Sequence, residues 1–168
     1  MRSEKNRESL KTDRCVLSPF DRTDSSEMKQ LYMDQEVRRY LGGVRSAAEI
    51  PLIIEEMLHN REENHWVMRR KETDEFVGLI SIGLHHDGDC HEISYQLLPK
   101  WWGIGYGMEA VQAALNHAFH VLNLPKIAAE TQAVNISSRK LLERAGFREE
   151  RRVLRFGAEQ IIYSIERE

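Results

Sequence analysis

LLPKWWGIGYGMEAVQAAL, residues 97–115, carries three glycines in five positions, Gly103, Gly105 and Gly107, between an apolar run and a helical one. Downstream, Ala110, Val111, Ala114, Leu115, Ala118, Phe119 and Leu122 recur at helical spacing and predict an amphipathic helix. The first turn of a helix has unpaired N–H groups and a partial positive charge, so it attracts phosphate, and glycine lets a bulky anion reach those amides. The same glycines also suit a tight strand-to-helix connection that holds no ligand. Gly103-Ile-Gly105-Tyr-Gly107 does not fit the G-x-G-x-x-G of dinucleotide-binding folds, and no repeated βαβ pattern precedes it.

Upstream, HWVMRR, FVGLISIGL and HEISYQLL are β-rich runs separated by KETDE and HHDGDC, the latter with the turn signal Asp87-Gly88; they predict an antiparallel meander. CVLSPF predicts a first strand. DSSEMKQLYM, with Asp24 and Glu27, and SAAEIPLIIEEMLHN, with Ser46 and Glu49, carry helix-start signals, and Pro51 is expected to weaken the second turn of the latter. KIAAETQAV reads as a strand, NISSRKLLERAG as a helix ending at Gly146, and FREERRVLRF with QIIYSIERE as a final hairpin. The predicted order is β-α-α-β-β-β-α-β-α-β-β. Residues 1–11 are charged and aperiodic and are expected to form a flexible tail, leaving 12–168 as a single domain.

The chain has 168 residues, with 24 Lys+Arg against 27 Asp+Glu and a net charge of -3. That balance offers no support for a nucleic-acid or membrane-surface partner. No apolar run reaches the about 18 residues needed to cross a bilayer, and the start lacks the apolar stretch of a signal peptide. A cytoplasmic location is the expectation. Cys15 and Cys90 lack metal-ligand spacing and are read as free thiols.

The run EISYQLLPKWWGIGYGMEAVQAAL resembles the acetyl-CoA motif of the GNAT N-acetyltransferases, in particular the branch that includes the RimJ/RimL-like ribosomal-protein N-terminal acetyltransferases alongside enzymes for antibiotics and other small amines. There a strand E-I-G-Y-x-L leads into P-x-x-W-G-x-G-Y-x-x-E-A. AVNISSRKLLERAGF resembles the branch's N-x-x-S-x-x-x-L-E-x-x-G-F, and TDRCVLSPF its opening T-x-R-L-x-L-R-P-x. The matches run in order from about Thr12 to Phe147. The resemblance implies a mixed α/β fold: a mostly antiparallel central sheet in which two parallel strands, here HEISYQLL and KIAAETQAV, splay apart, flanked by about four helices. It also implies acetyl-CoA as cosubstrate and no metal. The pantetheine arm would pair with backbone around Leu97 and Leu98, and the pyrophosphate would sit on the amides of Trp102, Gly103, Ile104, Gly105, Tyr106, Gly107 and Met108. Trp102 stands where the family pattern Q/R-x-x-G-x-G/A has Gln or Arg.

Acetyl transfer needs an amine freed of its proton, a polarised thioester carbonyl and a proton for the departing thiolate. Glu92, at the start of the strand entering the cofactor site, is the base candidate; as a bland alternative it is a solvated carboxylate. His85, His86 and His91 crowd the same hairpin and are read as surface groups that could also serve. In many family members a tyrosine seven positions after the helix-start asparagine protonates the thiolate. Counting from Asn135 gives Leu142. By resemblance to the branch, Ser138 replaces it, against the alternative of a serine tying down local backbone. Asn135 is expected to cap the helix and, by resemblance, to touch the cofactor arm.

Trp101 and Trp102 are read as packing under the loop, against the alternative of stacking on adenine or substrate, Glu109 as a first-turn charge and REERR at 148–152 as a solvated strand face; the resemblance implies an acceptor wall at Arg38, Arg39 and Tyr40. Cys90 is the one challenger to direct transfer in a ternary complex. The expected function is acetyl transfer to a primary amine, on a protein N-terminus or a small molecule, by a monomer or homodimer. The competing class is a non-catalytic acetyl-CoA-binding module.

Overall fold

The computed structural model describes residues 8–168. An eight-stranded sheet runs in the order β1-β2-β3-β4-β5-β6-β8-β7, formed by β1 Leu10–Lys11, β2 Cys15–Pro19, β3 Asn64–Arg70, β4 Phe76–Leu84, β5 His91–Leu97, β6 Lys126–Gln132, β7 Arg148–Arg155 and β8 Ala158–Glu166. Helices α1 Ser25–Tyr32, α2 Gln35–Arg38 and α3 Ile50–His59 follow β2, α4 Tyr106–His120 follows β5, and α5 Ile136–Arg144 follows β6. The expected element order is present, with the short β1 and α2 in addition. The loose tail was expected to reach residue 11, but Leu10 and Lys11 already pair with Leu17 and Val16 of β2; the first seven residues of that tail lie outside the described ones. Among the described residues no helix is long and apolar enough to cross a membrane.

Each face of the sheet buries one apolar cluster. Ala110, Val111, Ala114, Leu115 and Ala118 of α4, with Leu142 of α5, pack on Ile80, Ile82, Ile93, Leu97 and Ile127. Met28, Leu31, Ile50, Ile54 and Met57 of α1 and α3 pack on Val67, Phe76 and Leu79 of the other face. The final hairpin does not simply append to the edge: β8 inserts between β6 and β7 and pairs along its length with β6, from Lys126↔Glu166 to Gln132↔Gln160.

The helix starts depart from expectation in instructive ways. Asp24 makes no side-chain cap for α1; it and Glu27 both accept from an Arg69 amino nitrogen on β3, at 2.9 and 2.7 Å. The cap sits one turn earlier, where Asp21 accepts from Thr23 N–H and its own N–H reaches Asp24. Ser46 and Glu49 bond each other in the turn before α3. Pro51 then falls in that helix's first turn, where no donor is required, so it does not weaken the helix.

Gly78 on β4 faces Leu97 of β5. A Cβ there would lie 2.3 Å from the Gln96 carbonyl oxygen and 2.9 Å from Leu97 Cα, so the two strands must shift to admit one. Gly78→Ala is therefore expected to destabilise the protein by about 1–3 kcal/mol, the usual cost of overpacking. Denaturant melts read the loss; an unchanged midpoint would refute the close-approach argument.

Candidate active site

Parallel β5 and β6 are joined at His91↔Ile127 and Glu92↔Ala128 only. Beyond that point β5 stays with β4 as far as Gly78↔Leu97, while β6 stays with β8, and a wedge opens between them. Where the ladder ends, the Glu92 carboxylate accepts the backbone N–H of Glu130, a side chain standing in for the lost strand partner. Strand backbone alternates in direction. Leu98 N–H is turned to Val77 O at 2.9 Å, so the N–H and C=O groups of Tyr95 and Leu97 face the wedge.

This alters the expectation for the pantetheine arm. Leu98 has both backbone groups engaged, its N–H by Val77 O and its C=O by Trp101 N–H. Leu97 C=O receives the Trp102 indole N–H at 2.8 Å. What remains facing the wedge is Leu97 N–H and the backbone of Tyr95. Trp101 likewise ties its indole to Phe76 O at 2.9 Å and packs against the core as expected, whereas Trp102, 47% exposed, departs from its reading as a packing residue and braces the end of β5 through its indole N–H.

The glycine loop divides its labour. Gly103 and Gly105 have φ of +75° and +94°, the left-handed region that side chains resist. Gly107 has ordinary helical geometry, but a Cβ there would meet Leu141 Cδ1 of α5 at 2.7 Å, so it permits α4 to approach α5. The first helical bond of α4 runs from Glu109 N–H to Gly105 O, which leaves the Tyr106, Gly107 and Met108 amides free of helical partners and turned outward. A Cβ on Gly103 would meet nothing within 4 Å, so the cradle is open where a phosphate would lie. Glu109 does more than complement the helix dipole: it accepts from Thr12 Oγ1 at 2.7 Å, Arg14 N–H at 3.0 Å and Arg14 Nε at 2.5 Å. Arg14 in turn donates to Ile104 O at 2.8 Å and fixes the loop.

Alternation also sorts the chemistry by face. Glu92, Ser94 and Gln96 project to the side of α1 and α2, whereas Ile93, Tyr95 and Leu97 project to the side of α4 and α5. On the first face, Arg38 is buried, donating to Gln96 Oε1, Leu41 O and Gly43 O, and the Gln132 amide donates to Tyr40 O. Residues 38–40, expected as an acceptor wall, thus bridge β5 to β6 across the wedge. On the second face, Asn135 caps α5 by accepting Ser138 N–H at 3.3 Å, as expected, and Ser138 Oγ lies 2.8 Å from the Tyr95 hydroxyl. Leu142, at the usual tyrosine position, is 1% exposed and part of the core.

The Glu92 carboxyl is pushed up to about 7, first by burial; His85 pulls it down and Glu130 pushes it up. His85 is no surface group: it is 3% exposed, and its Nδ1 accepts Asp87 N–H, so Nε2 carries the proton and donates to Glu130 at 2.8 Å. Arg155 Nε stands 3.2 Å from the other Glu130 oxygen, and Arg151 and Arg155 both bond Asp87. His85, Glu92 and Glu130 each offer a ligand atom, all within 4.8 Å of one another, yet Arg155 already supplies the positive charge and the His85 donor is spent on Glu130. The group is a charge-compensated network around one titratable carboxyl. His86 is exposed, its ring tilted against Phe156; His91 belongs to the first of the two β5–β6 pairs. Burial pushes the Cys90 thiol up to about 11, which disfavours a thiolate nucleophile at neutral pH.

Sequence reading passed over Tyr95, Gln96, Glu130, Gln132 and the Thr12–Arg14–Glu109 staple. The visible signals were polar residues in strands that otherwise read as core. The wedge and the loop bear directly on kinship. A model of the acetyltransferase (GNAT) domain matches residues 14–148. An uncharacterized N-acetyltransferase, p20, of Bacillus licheniformis is 30% identical over 149 residues, covering 85% of this chain and 84% of its own. Among solved structures, a GNAT-family acetyltransferase from Bacillus anthracis superposes with a TM-score of 0.84 at 23% identity, covering 95% of this chain and 98% of its own. The spermidine N-acetyltransferase of Vibrio cholerae, in complex with CoA and spermine, gives 0.79 at 20% identity over 91% and 95%. With the family model spanning the splayed strands, the glycine loop and both flanking helices, this chain belongs to the GNAT acetyltransferases and is an acetyl-CoA-dependent N-acetyltransferase.

Proposed function

We propose that the enzyme transfers acetyl directly from acetyl-CoA to a primary amine, with Glu92 as general base and Ser138 handing a proton to the departing sulfur. The observation that carries this reading is the opposition of the two groups: Glu92 and Ser138 approach the same wedge from opposite faces of the sheet. An amine entering from the α1–α2 side meets a carboxyl at the tip of the wedge. Sulfur leaving toward the α4–α5 side meets a hydroxyl at the start of α5. The amides of Gly103 to Met108 and the wedge-facing backbone of Tyr95 and Leu97 hold the cofactor's pyrophosphate and arm; Asn135 sets Ser138 in place.

The acceptor is the amine of a protein N-terminus or of a small molecule. The branch whose motifs this chain resembles includes enzymes for protein N-terminal amines, for antibiotics and for other small amines, so the motif match supports either. The half-buried carboxyl groups of Glu92 and Glu130 beside the amine's entry support any cationic acceptor. Turnover with a panel of polyamines, drug-like amines and N-terminal peptides decides between them: acetylation confined to peptides assigns the enzyme to proteins, and acetylation confined to small amines excludes a protein acceptor.

Loss of the phosphate cradle should show in binding. Valine at position 105 cannot adopt a φ of +94° without strain and would crowd Arg14. Gly105→Val is expected to abolish calorimetric acetyl-CoA binding while circular dichroism stays native; Gly105→Asn, which tolerates the left-handed region, should lose far less. Wild-type affinity in the valine variant would remove the loop from the site.

The base has its own signature. With the Glu92 carboxyl near 7, kcat/KM for an acceptor of known ionisation constant should rise through neutrality as Glu92 loses its proton. Glu92→Gln should remove that inflection and lower kcat/KM by roughly a hundredfold or more, leaving acetyl-CoA affinity intact. Glu130→Gln, which removes the negative charge that pushes Glu92 up, should shift the inflection to lower pH. A Glu92→Gln profile that superimposes on wild type at every pH would exclude Glu92 as the base.

A further inference from the structure

We propose that Tyr95 supplies the proton that Ser138 passes to the sulfur, so that a β5 phenol replaces the tyrosine missing from α5. This rests on the reading of Ser138 given above. Of the chain's five tyrosines, Tyr95 alone bonds the Asn135–Ser138 turn. Tyr106 accepts from Arg70 at 2.9 Å and Tyr163 is held between Arg139 and Glu143. Tyr32 and Tyr40 belong to the α1–α2 side, where Tyr32 bonds Gln96. The Tyr95 hydroxyl, 2.8 Å from Ser138 Oγ, lies on a residue past the last β5–β6 pair, and therefore beside the wedge.

The chemistry favours a phenol behind the serine. A serine hydroxyl is a poor acid, whereas a phenol, near 10, stands within roughly one and a half pKa units of a thiol near 8.5. Burial raises the Tyr95 phenol, with the Ser138 bond opposing; the same burial raises a thiol formed beside it, so the match survives. The amine nitrogen forms its bond to the carbonyl carbon and gives up a proton to Glu92. The C–S bond breaks with its electron pair on sulfur, which takes the Ser138 proton, and Ser138 takes that of Tyr95. Water entering as products leave returns a proton to Tyr95 and removes one from Glu92, so the protein ends as it began. Tyr95 does not touch the reacting atoms; it acts through Ser138 as a positioning and proton-supplying residue.

The test compares Tyr95→Phe, Ser138→Ala and the double variant, with kcat, KM for acetyl-CoA and the solvent deuterium isotope effect measured for each. Tyr95→Phe keeps the ring and its packing. It is expected to lower kcat by roughly ten- to a hundredfold with KM within about twofold, to alter the isotope effect, and to add nothing to the loss from Ser138→Ala. If Ser138→Ala is slow while Tyr95→Phe matches wild type, Tyr95 is overturned and Ser138 stands. If Ser138→Ala matches wild type, the parent reading falls and this one with it. Multiplicative losses would show that Tyr95 acts independently, which also overturns the relay. Should Tyr95→Phe fail to fold, 3-fluorotyrosine at position 95 serves in its place: its more acidic phenol should move the alkaline fall in kcat to lower pH, and an unmoved limb refutes the proposal.

Discussion

Two residue pairs hold the halves of the sheet together along β5 and β6, and everything at the site follows from the ladder stopping there. Parallel strands that part leave N–H and C=O groups turned into a gap. A buried backbone group without a partner costs about 1–3 kcal/mol, so a gap of this kind persists only where side chains, water or a ligand answer those groups. The protein answers some itself: Glu92 takes Glu130 N–H and Trp102 donates to Leu97 O. In the function proposed above, the backbone of Tyr95 and Leu97 N–H are answered by the cofactor. A pantetheine arm, extended and bearing amides, has the complementary pattern.

Holding the wedge open is a separate task, carried by residues with little chemistry of their own. Arg38 is fixed by three oxygens and reaches β5, while Tyr40 O is held by Gln132 of β6, so one segment spans the gap. At the other end, Glu109 gathers Thr12 and Arg14, and Arg14 holds the Ile104 carbonyl. Gly103 and Gly105 adopt a left-handed conformation that glycine takes readily and other residues resist, and Arg14 holds the loop in it. The turn between β1 and β2 thus fixes the glycine loop some ninety residues later.

The sheet, the long α4 and the glycine loop were legible because period and turn chemistry agree there: apolar residues at helical spacing in 110–122, β-rich runs bounded by KETDE and HHDGDC. The family motif added the splay between β5 and β6, which no local pattern encodes. Pairing over long separations was not legible. β8 lies between β6 and β7, Asp24 serves Arg69 and not its own helix, and His85 is buried because Glu130, forty-five residues on, meets its Nε2. In each case a side chain that reads as local, a cap or a surface histidine, is taken by a partner on another strand, and partner choice is a property of the packed sheet.

The alternation of β5 links fold to mechanism. Because successive side chains point to opposite faces, Glu92 and Tyr95, three apart, cannot share one. A register slip of a single residue would exchange them, placing the carboxyl against the α4–α5 core and the phenol toward the α1–α2 side. That exchange is opposed from both sides: the apolar cluster under α4 requires Ile93 and Leu97 to point inward, and the Glu92–Glu130–His85 network is compensated only on the face where Arg155 stands. Core packing and charge pairing therefore select the same register, and that register places a carboxyl and a phenol on opposite sides of one gap.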